Sequence, residues 1–181
     1  MIFTKRLELV PATEPLVRAA LDSSAALQAT LGADVPPSWP PEYLDPPSLE
    51  FTLARLDEGP EQAGWWLHFV VLRGGAANHT LIGSAGFCGP PASEGTIEIG
   101  YGIVADRRRQ GYATETVRGL LDRAFHLPAT RRVIAHTLPS LIPSIGVLHK
   151  CGFHLLGDGP EPGTIRFEIS RGSYELGPSA V

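Results

Sequence analysis

Arg108-Arg109-Gln110-Gly111-Tyr112-Ala113 joins two segments of different period, and that change of period decides the fold. Before it, residues 96–104 alternate as a strand does: Ile97, Ile99, Tyr101 and Ile103 share one face, and Thr96, Glu98, Gly100 and Gly102 the other. After it, Ala113, Val117, Leu120, Leu121, Ala124 and Phe125 recur at helical spacing, so the turn opens a helix. The first amides of a helix lack internal partners and sit at the positive end of its dipole, which makes them donors for an anion. Gly111 lets a bulky anion approach the backbone, and small Ala113 keeps the mouth open. Strand, basic turn and helix together form a phosphate cradle.

The rest of the composition narrows what that cradle serves. A chain of 181 residues with 43% hydrophobic content suits one domain, taken as 1–181, with a substantial core. Its net charge of −4 argues against a partner bound by neutralising a nucleic-acid backbone, while the clustered Arg107, Arg108 and Arg109 suit one small polyanion. Cys88 and Cys151 stand far apart without Cys-x-x-Cys spacing, which points to a reducing compartment. No signal-peptide core and no membrane-length apolar run is present, so a soluble cytoplasmic protein is expected. No heptad or other assembly signal marks a protein interface, and a homodimer stays open.

Along the chain, strands are expected near 7–10, 65–72, 81–87, 96–104, 132–137, 153–156 and 164–169. Helices are expected within 14–21, 24–31, 48–56, the segment after Gly111, and 143–150. Residues 36–47, with six prolines among them, read as a stiff loop anchored by Trp39 and Tyr43. The order is a meander followed by alternating strand and helix, which describes an α/β sheet of mixed strand direction.

The hexapeptide resembles the acyl-coenzyme A signature of the GNAT N-acetyltransferase superfamily, with Arg108, Gly111 and Ala113 at its three defining places. The longer stretches Glu98-Ile-Gly-Tyr101, Ser144-Ile-Gly-Val-Leu-His-Lys-Cys-Gly-Phe153, Arg6-Leu-Glu-Leu-Val-Pro11 and Leu81-Ile-Gly-Ser-Ala-Gly-Phe87 are similar to the ribosomal-protein alanine N-acetyltransferase branch, of RimJ/RimL type. That resemblance implies a mostly antiparallel central sheet, flanked by helices and splayed at one end between 96–104 and 132–137. The pantetheine arm of acetyl-CoA would lie in the splay. The cofactor-binding set it implies is Ile103, Val104, Arg108, Arg109, Gln110, Gly111, Tyr112, Ala113 and Thr114, with an oxyanion-binding amide at Ile103 or Val104. Arg107 is expected to be exposed, and the 3′-phosphate falls to Arg107, Arg109 or Lys150.

Acetyl transfer to an amine needs a base for the amine, a donor for the oxyanion and an acid for the departing thiolate. Glu98 matches the family's strand glutamate and is the expected base. Many members carry a proton-donating Tyr on the helix that precedes the closing Gly-Phe; here Leu148 occupies that place, and the resemblance shifts the role to Ser144. A serine just after Pro143 is also a good helix-start residue. The family's arm-binding Asn is replaced by Leu141 or Ile142, neither of which can make the amide's bonds. The expectation is therefore an acetyl-CoA-dependent N-acetyltransferase acting on a small-molecule or peptide amine, with a non-catalytic acyl-CoA binding module as the alternative.

The remaining patterns yield less. Residues 65–72 are apolar on both faces and read as a covered core strand, although Trp66 or His68, with Trp39 and Tyr43, could wall the acceptor pocket. Gly100-Tyr-Gly-Ile-Val-Ala105 fits a dinucleotide fingerprint but lies inside a strand, where that motif does not work. The six histidines lack metal-ligand spacing, so no metal is expected. No His and acid partner is apparent for Cys88, which reads as a small buried thiol.

Overall fold

The computed structural model describes residues 1–74 and 79–177. One eight-stranded sheet runs through it: β1 (Ile2–Phe3), β2 (Leu7–Pro11), β3 (Leu67–Leu72), β4 (Thr80–Phe87), β5 (Thr96–Ile103), β6 (Arg132–Thr137), β7 (His154–Asp158) and β8 (Ile165–Ser170), in the spatial order β1-β2-β3-β4-β5-β6-β8-β7. Every neighbouring pair is antiparallel except β5 and β6. That parallel pair holds only three partners, Thr96↔Arg132, Ile97↔Val133 and Glu98↔Ile134, and then the two strands part.

Helices α1 (Glu14–Asp22), α2 (Ser24–Leu31) and α3 (Pro46–Leu56) are joined by α4 (Tyr112–Phe125), α5 (Ile142–Lys150) and a short α6 (Arg171–Glu175). Two apolar clusters flank the sheet. Leu16, Val17, Leu27 and Leu49 from the first three helices pack on Phe69, Val71 and Leu81. Val117, Leu120, Leu121 and Leu148, from α4 and α5, pack on Ile97, Ile99, Val133 and Phe167. The odd-numbered side chains of β5 thus belong to the α4 and α5 side, as its alternation requires.

Most expected elements stand within two residues of their bounds. The strand expected from 65 starts at Leu67, because Trp65 still belongs to the preceding turn, its amide donating to the Gln62 carbonyl. The third helix begins earlier than expected: Pro46 and Pro47 fill its first turn, where no amide is missed, and Asp45 caps it by accepting from the Ser48 amide. The edge strand β1 and helix α6 carry too little pattern to be foreseen. Among the described residues, no helix is long and apolar enough to cross a membrane.

Candidate functional site

Where β5 and β6 separate, a cleft of about 480 Å³ opens through the sheet. It takes Ile99, Tyr101, Leu148 and Ser144 from the α5 side, and Gly100, Gly102, His136 and Glu161 from the opposite side. Backbone polarity along β5 follows from two bonds: Cys88 N–H donates to the Glu98 carbonyl, and Val104 N–H donates to the Ile82 carbonyl. Even-numbered residues therefore turn their backbone groups toward β4. Ile99, Tyr101 and Ile103 turn theirs toward the gap that β6 has left. The Val104 amide is spent in the sheet and is not an oxyanion donor; Ile103 keeps an amide facing the gap.

At the far end of β5 the chain turns through Arg109 (φ 62°) and Gly111 (φ 81°) into α4. Gly111 stands at the N-cap and supplies no side chain, and the first helical bond runs from Glu115 N–H to the Gly111 carbonyl. The Tyr112, Ala113 and Thr114 amides thus precede the helical ladder, at the positive end of the dipole. The Tyr112 ring itself is buried, beneath the Arg6 guanidinium at 4.4 Å.

Arg6 holds this turn in place. It donates to the Gln110 carbonyl at 3.1 Å and pairs with Glu115 at 2.7 Å, while Glu115 also accepts from Thr4. Arg108, at the signature position, stays exposed but folds back on the protein: its Nε donates to the Ile103 carbonyl at 3.0 Å and its Nη2 reaches Glu42 at 3.2 Å. It ties the turn to the end of β5. Arg109 and Gln110 are exposed, whereas Arg107, expected to be exposed, is half-buried with its Nε sequestered.

Glu98 lies at the last β5–β6 pair, and its carboxylate is 2.8 Å from His136 Nδ1. His136 Nε2 is buried with no hydrogen-bond partner, beside Gly159, where a Cβ would come 3.3 Å from the imidazole Cδ2. The tautomer that suits the carboxylate carries its hydrogen on Nδ1 and leaves a lone pair on Nε2. Cys88 joins from the other side. Desolvation first, and the Glu98 carboxylate second, push its thiol up to about 12, although the residue as a whole is exposed. Cysteine, acid and histidine do meet, but with the carboxylate in the middle, which suppresses the thiolate and removes Cys88 as a nucleophile.

On the α5 side the Tyr101 hydroxyl donates to the Ser144 carbonyl at 3.0 Å and lies 3.1 Å from Ser144 Oγ. Burial pushes the Tyr101 phenol up to about 12, so it stays protonated at neutral pH. Ser144 does not cap α5: the N-cap is Leu141. Leu141 also lines the cleft where the arm-binding Asn was sought, while Ile142 is 67% exposed.

A second cleft of about 770 Å³ adjoins the first and is walled by Tyr43, Phe51, Trp66 and Phe87. Trp66 therefore lines this cleft. Trp39 and His68 do not. Trp39 packs between the apolar clusters, 6.0 Å from Phe69, and anchors the proline-rich loop. His68 is 2% exposed and bound to the Trp66 carbonyl, and burial holds its imidazole down at about 4. On β3 the pattern is apolar on both faces, so a covered histidine gave no signal that set it apart. Among the described residues, no group of three or more His, Cys, Asp or Glu side chains is arranged to hold a metal.

A sheet that parts between its two parallel strands, beside an uncapped helix start, defines an acyl-transfer enzyme of the acetyltransferase class. The family model of the acetyltransferase (GNAT) domain matches residues 6–154. The uncharacterized N-acetyltransferase YjdG of Bacillus subtilis (strain 168) is 26% identical over 156 residues, covering 86% of this chain and 90% of that protein. A Vibrio cholerae protein proposed to be a ribosomal-protein-serine acetyltransferase superposes with a TM-score of 0.64 at 20% identity, over 93% of this chain and 96% of that one. AAC(6')-Ib, in complex with ribostamycin and coenzyme A, gives 0.67 at 18% identity, over 98% of this chain and 100% of that one. The chain belongs to the GNAT acetyltransferase family and is an N-acetyltransferase; the two solved structures share its fold.

Proposed function

We propose that the enzyme transfers the acetyl group of acetyl-CoA directly to a primary amine, of a small molecule or a protein N-terminus, within a ternary complex. The opening of β5 from β6 immediately after Glu98 carries this reading, because it puts free backbone groups and a hydroxyl pair around one gap, together with His136, which holds the Glu98 carboxylate. The residues fit the co-substrate. The Tyr112, Ala113 and Thr114 amides would take the pyrophosphate, with Arg109 beside it and Arg108 bracing the turn. The gap-facing backbone of Ile99, Tyr101 and Ile103 would pair with the pantetheine arm as a further strand does. Acetyl-CoA supplies an activated acetyl thioester at the Glu98 end of the gap.

Glu98 receives the amine proton, directly or through water, and His136 fixes its carboxylate. The gap-facing Tyr101 amide donates to the developing oxyanion, because the Ile103 amide expected in that role stands at the phosphate end of β5. When the Tyr101 hydroxyl turns to donate to Ser144 Oγ, the Ser144 hydroxyl is left to give a hydrogen bond to the departing sulfur, in place of the absent tyrosine at Leu148. Two unpaired thiols fit a reducing compartment, and the cytoplasm is assigned on that ground. Free-thiol release with a mixed amine panel tests the reading: amine-dependent release, falling about 10²- to 10⁴-fold in Glu98→Gln, is expected. Release that no amine stimulates would overturn it.

A further inference from the structure

The second cleft shares Tyr43, Leu44, Ser84, Gly100 and Tyr101 with the first, so whatever fills it reaches the gap at Gly100 and Tyr101. We propose that it holds the body of the acceptor, and that this body is a large apolar group bearing an aromatic ring beside the amine, not a polyhydroxylated one. The inference rests on the acetyltransferase reading above.

The polar groups of the cleft wall are largely engaged within the protein. Asp45 accepts from the amide and hydroxyl of Ser48, Thr52 Oγ1 donates to the Ser48 carbonyl at 3.0 Å, and Trp66 Nε1 donates to Gln62 at 2.9 Å. A sugar ring with many hydroxyls placed there would lose water and gain few partners. The nearby carboxylates are engaged as well: Glu98 on His136, and Glu42 on Arg108. Glu161 lines the first cleft and not the second. At the outer side, the Arg55 guanidinium lies 5.3 Å from the Phe51 ring and pairs with Glu58 at 2.7 Å.

The apolar wall, in contrast, is open. Phe51 is 55% exposed and Tyr43 67%, and Phe51 meets Trp66 edge to face at 5.6 Å. An arriving aromatic ring has both faces and edges to pack on. Apolar surroundings also favour the neutral amine over its ammonium, the form that attacks.

A free arylalkylamine and a peptide with an aromatic first residue present the same chemistry, and the test separates them. Acceptor-dependent thiol release is measured with 2-phenylethylamine, tryptamine, a Phe-initiated and an Ala-initiated tetrapeptide, spermidine and kanamycin, beside calorimetry with acetyl-CoA. An aromatic acceptor is expected to exceed the Ala peptide, spermidine and kanamycin in kcat/KM by about ten- to hundredfold. Whichever aromatic acceptor leads, the amine or the peptide, identifies the source. Phe51→Ala, on an exposed helix face that tolerates truncation, should erase most of that preference by raising KM for aromatic acceptors; Phe51→Leu should retain part of it. Preference for spermidine or kanamycin, or binding of acetyl-CoA without turnover of any aromatic acceptor, overturns the inference alone. Failure to bind acetyl-CoA overturns the reading beneath it.

Discussion

The Glu98 carboxylate stands between the Cys88 thiol and the His136 imidazole, and this order fixes what each group can do. If His136 serves to hold Glu98, an amide donor at the same place should substitute for it. His136→Asn is expected to keep most of the activity while His136→Ala loses about a hundredfold in kcat through misplacement of the base. Equal losses in both variants, read from steady-state rates, would make the imidazole itself the base. On the opposite wall, Tyr101→Phe frees the Ser144 hydroxyl and should lower kcat with KM for acetyl-CoA little changed. A second residue-scale effect is acid sensitivity. Burial lowers the His68 imidazole from 6.5 to about 4, so across that interval the unfolded chain takes up a proton that the folded chain refuses. Stability thus rises with pH through the window and falls on acidification, by about 3 kcal/mol in all. Denaturant titrations at pH 7 and pH 4.5 check this, and His68→Phe should flatten the slope. Glu98 was legible because strand alternation and the family motif agree on it. His136 was not, because its partnership depends on the register of two parallel strands, 38 residues apart, which no local pattern encodes.

The elements around the gap depend on glycine in two opposite ways. A Cβ on Gly86 would run into the Trp66 carbonyl where β3 and β4 approach each other, so Gly86→Ala should cost about 1–3 kcal/mol in thermal unfolding. Gly100 has nothing within 4 Å of its would-be Cβ and lies in the wall of both clefts. Gly100→Val should therefore leave the melting temperature nearly unchanged and block acetyl transfer at the junction. A large drop in stability would contradict this picture of open space. Helices α1 and α4 were legible because each buries one stripe, whereas α2 and α5 bury fully only Leu27 and Leu148. Pro46 and Pro47 misled because a proline pair reads as a breaker, although the first turn of a helix accepts it once Asp45 caps the end. Arg108 misled differently: its sequence position gives proximity to the phosphate turn, but only the fold shows its guanidinium bound to Ile103 and Glu42.

At the scale of the molecule, an antiparallel sheet is interrupted at one parallel seam, and that seam opens. Seven of the eight strands followed from the run of periods along the chain, and the edge strand β1 did not. The place where pairing stops did not, because it depends on backbone bonds and not on side-chain type. The account stands on that seam and its uncapped helix holding acetyl-CoA. Isothermal calorimetry of the wild-type chain against acetyl-CoA, beside Gly111→Asp, tests this most directly. Micromolar binding, about −8 kcal/mol, is expected for the wild type, with binding lost when a carboxylate faces the amides of α4. Absence of binding by the wild type, or equal binding by both, would contradict the account.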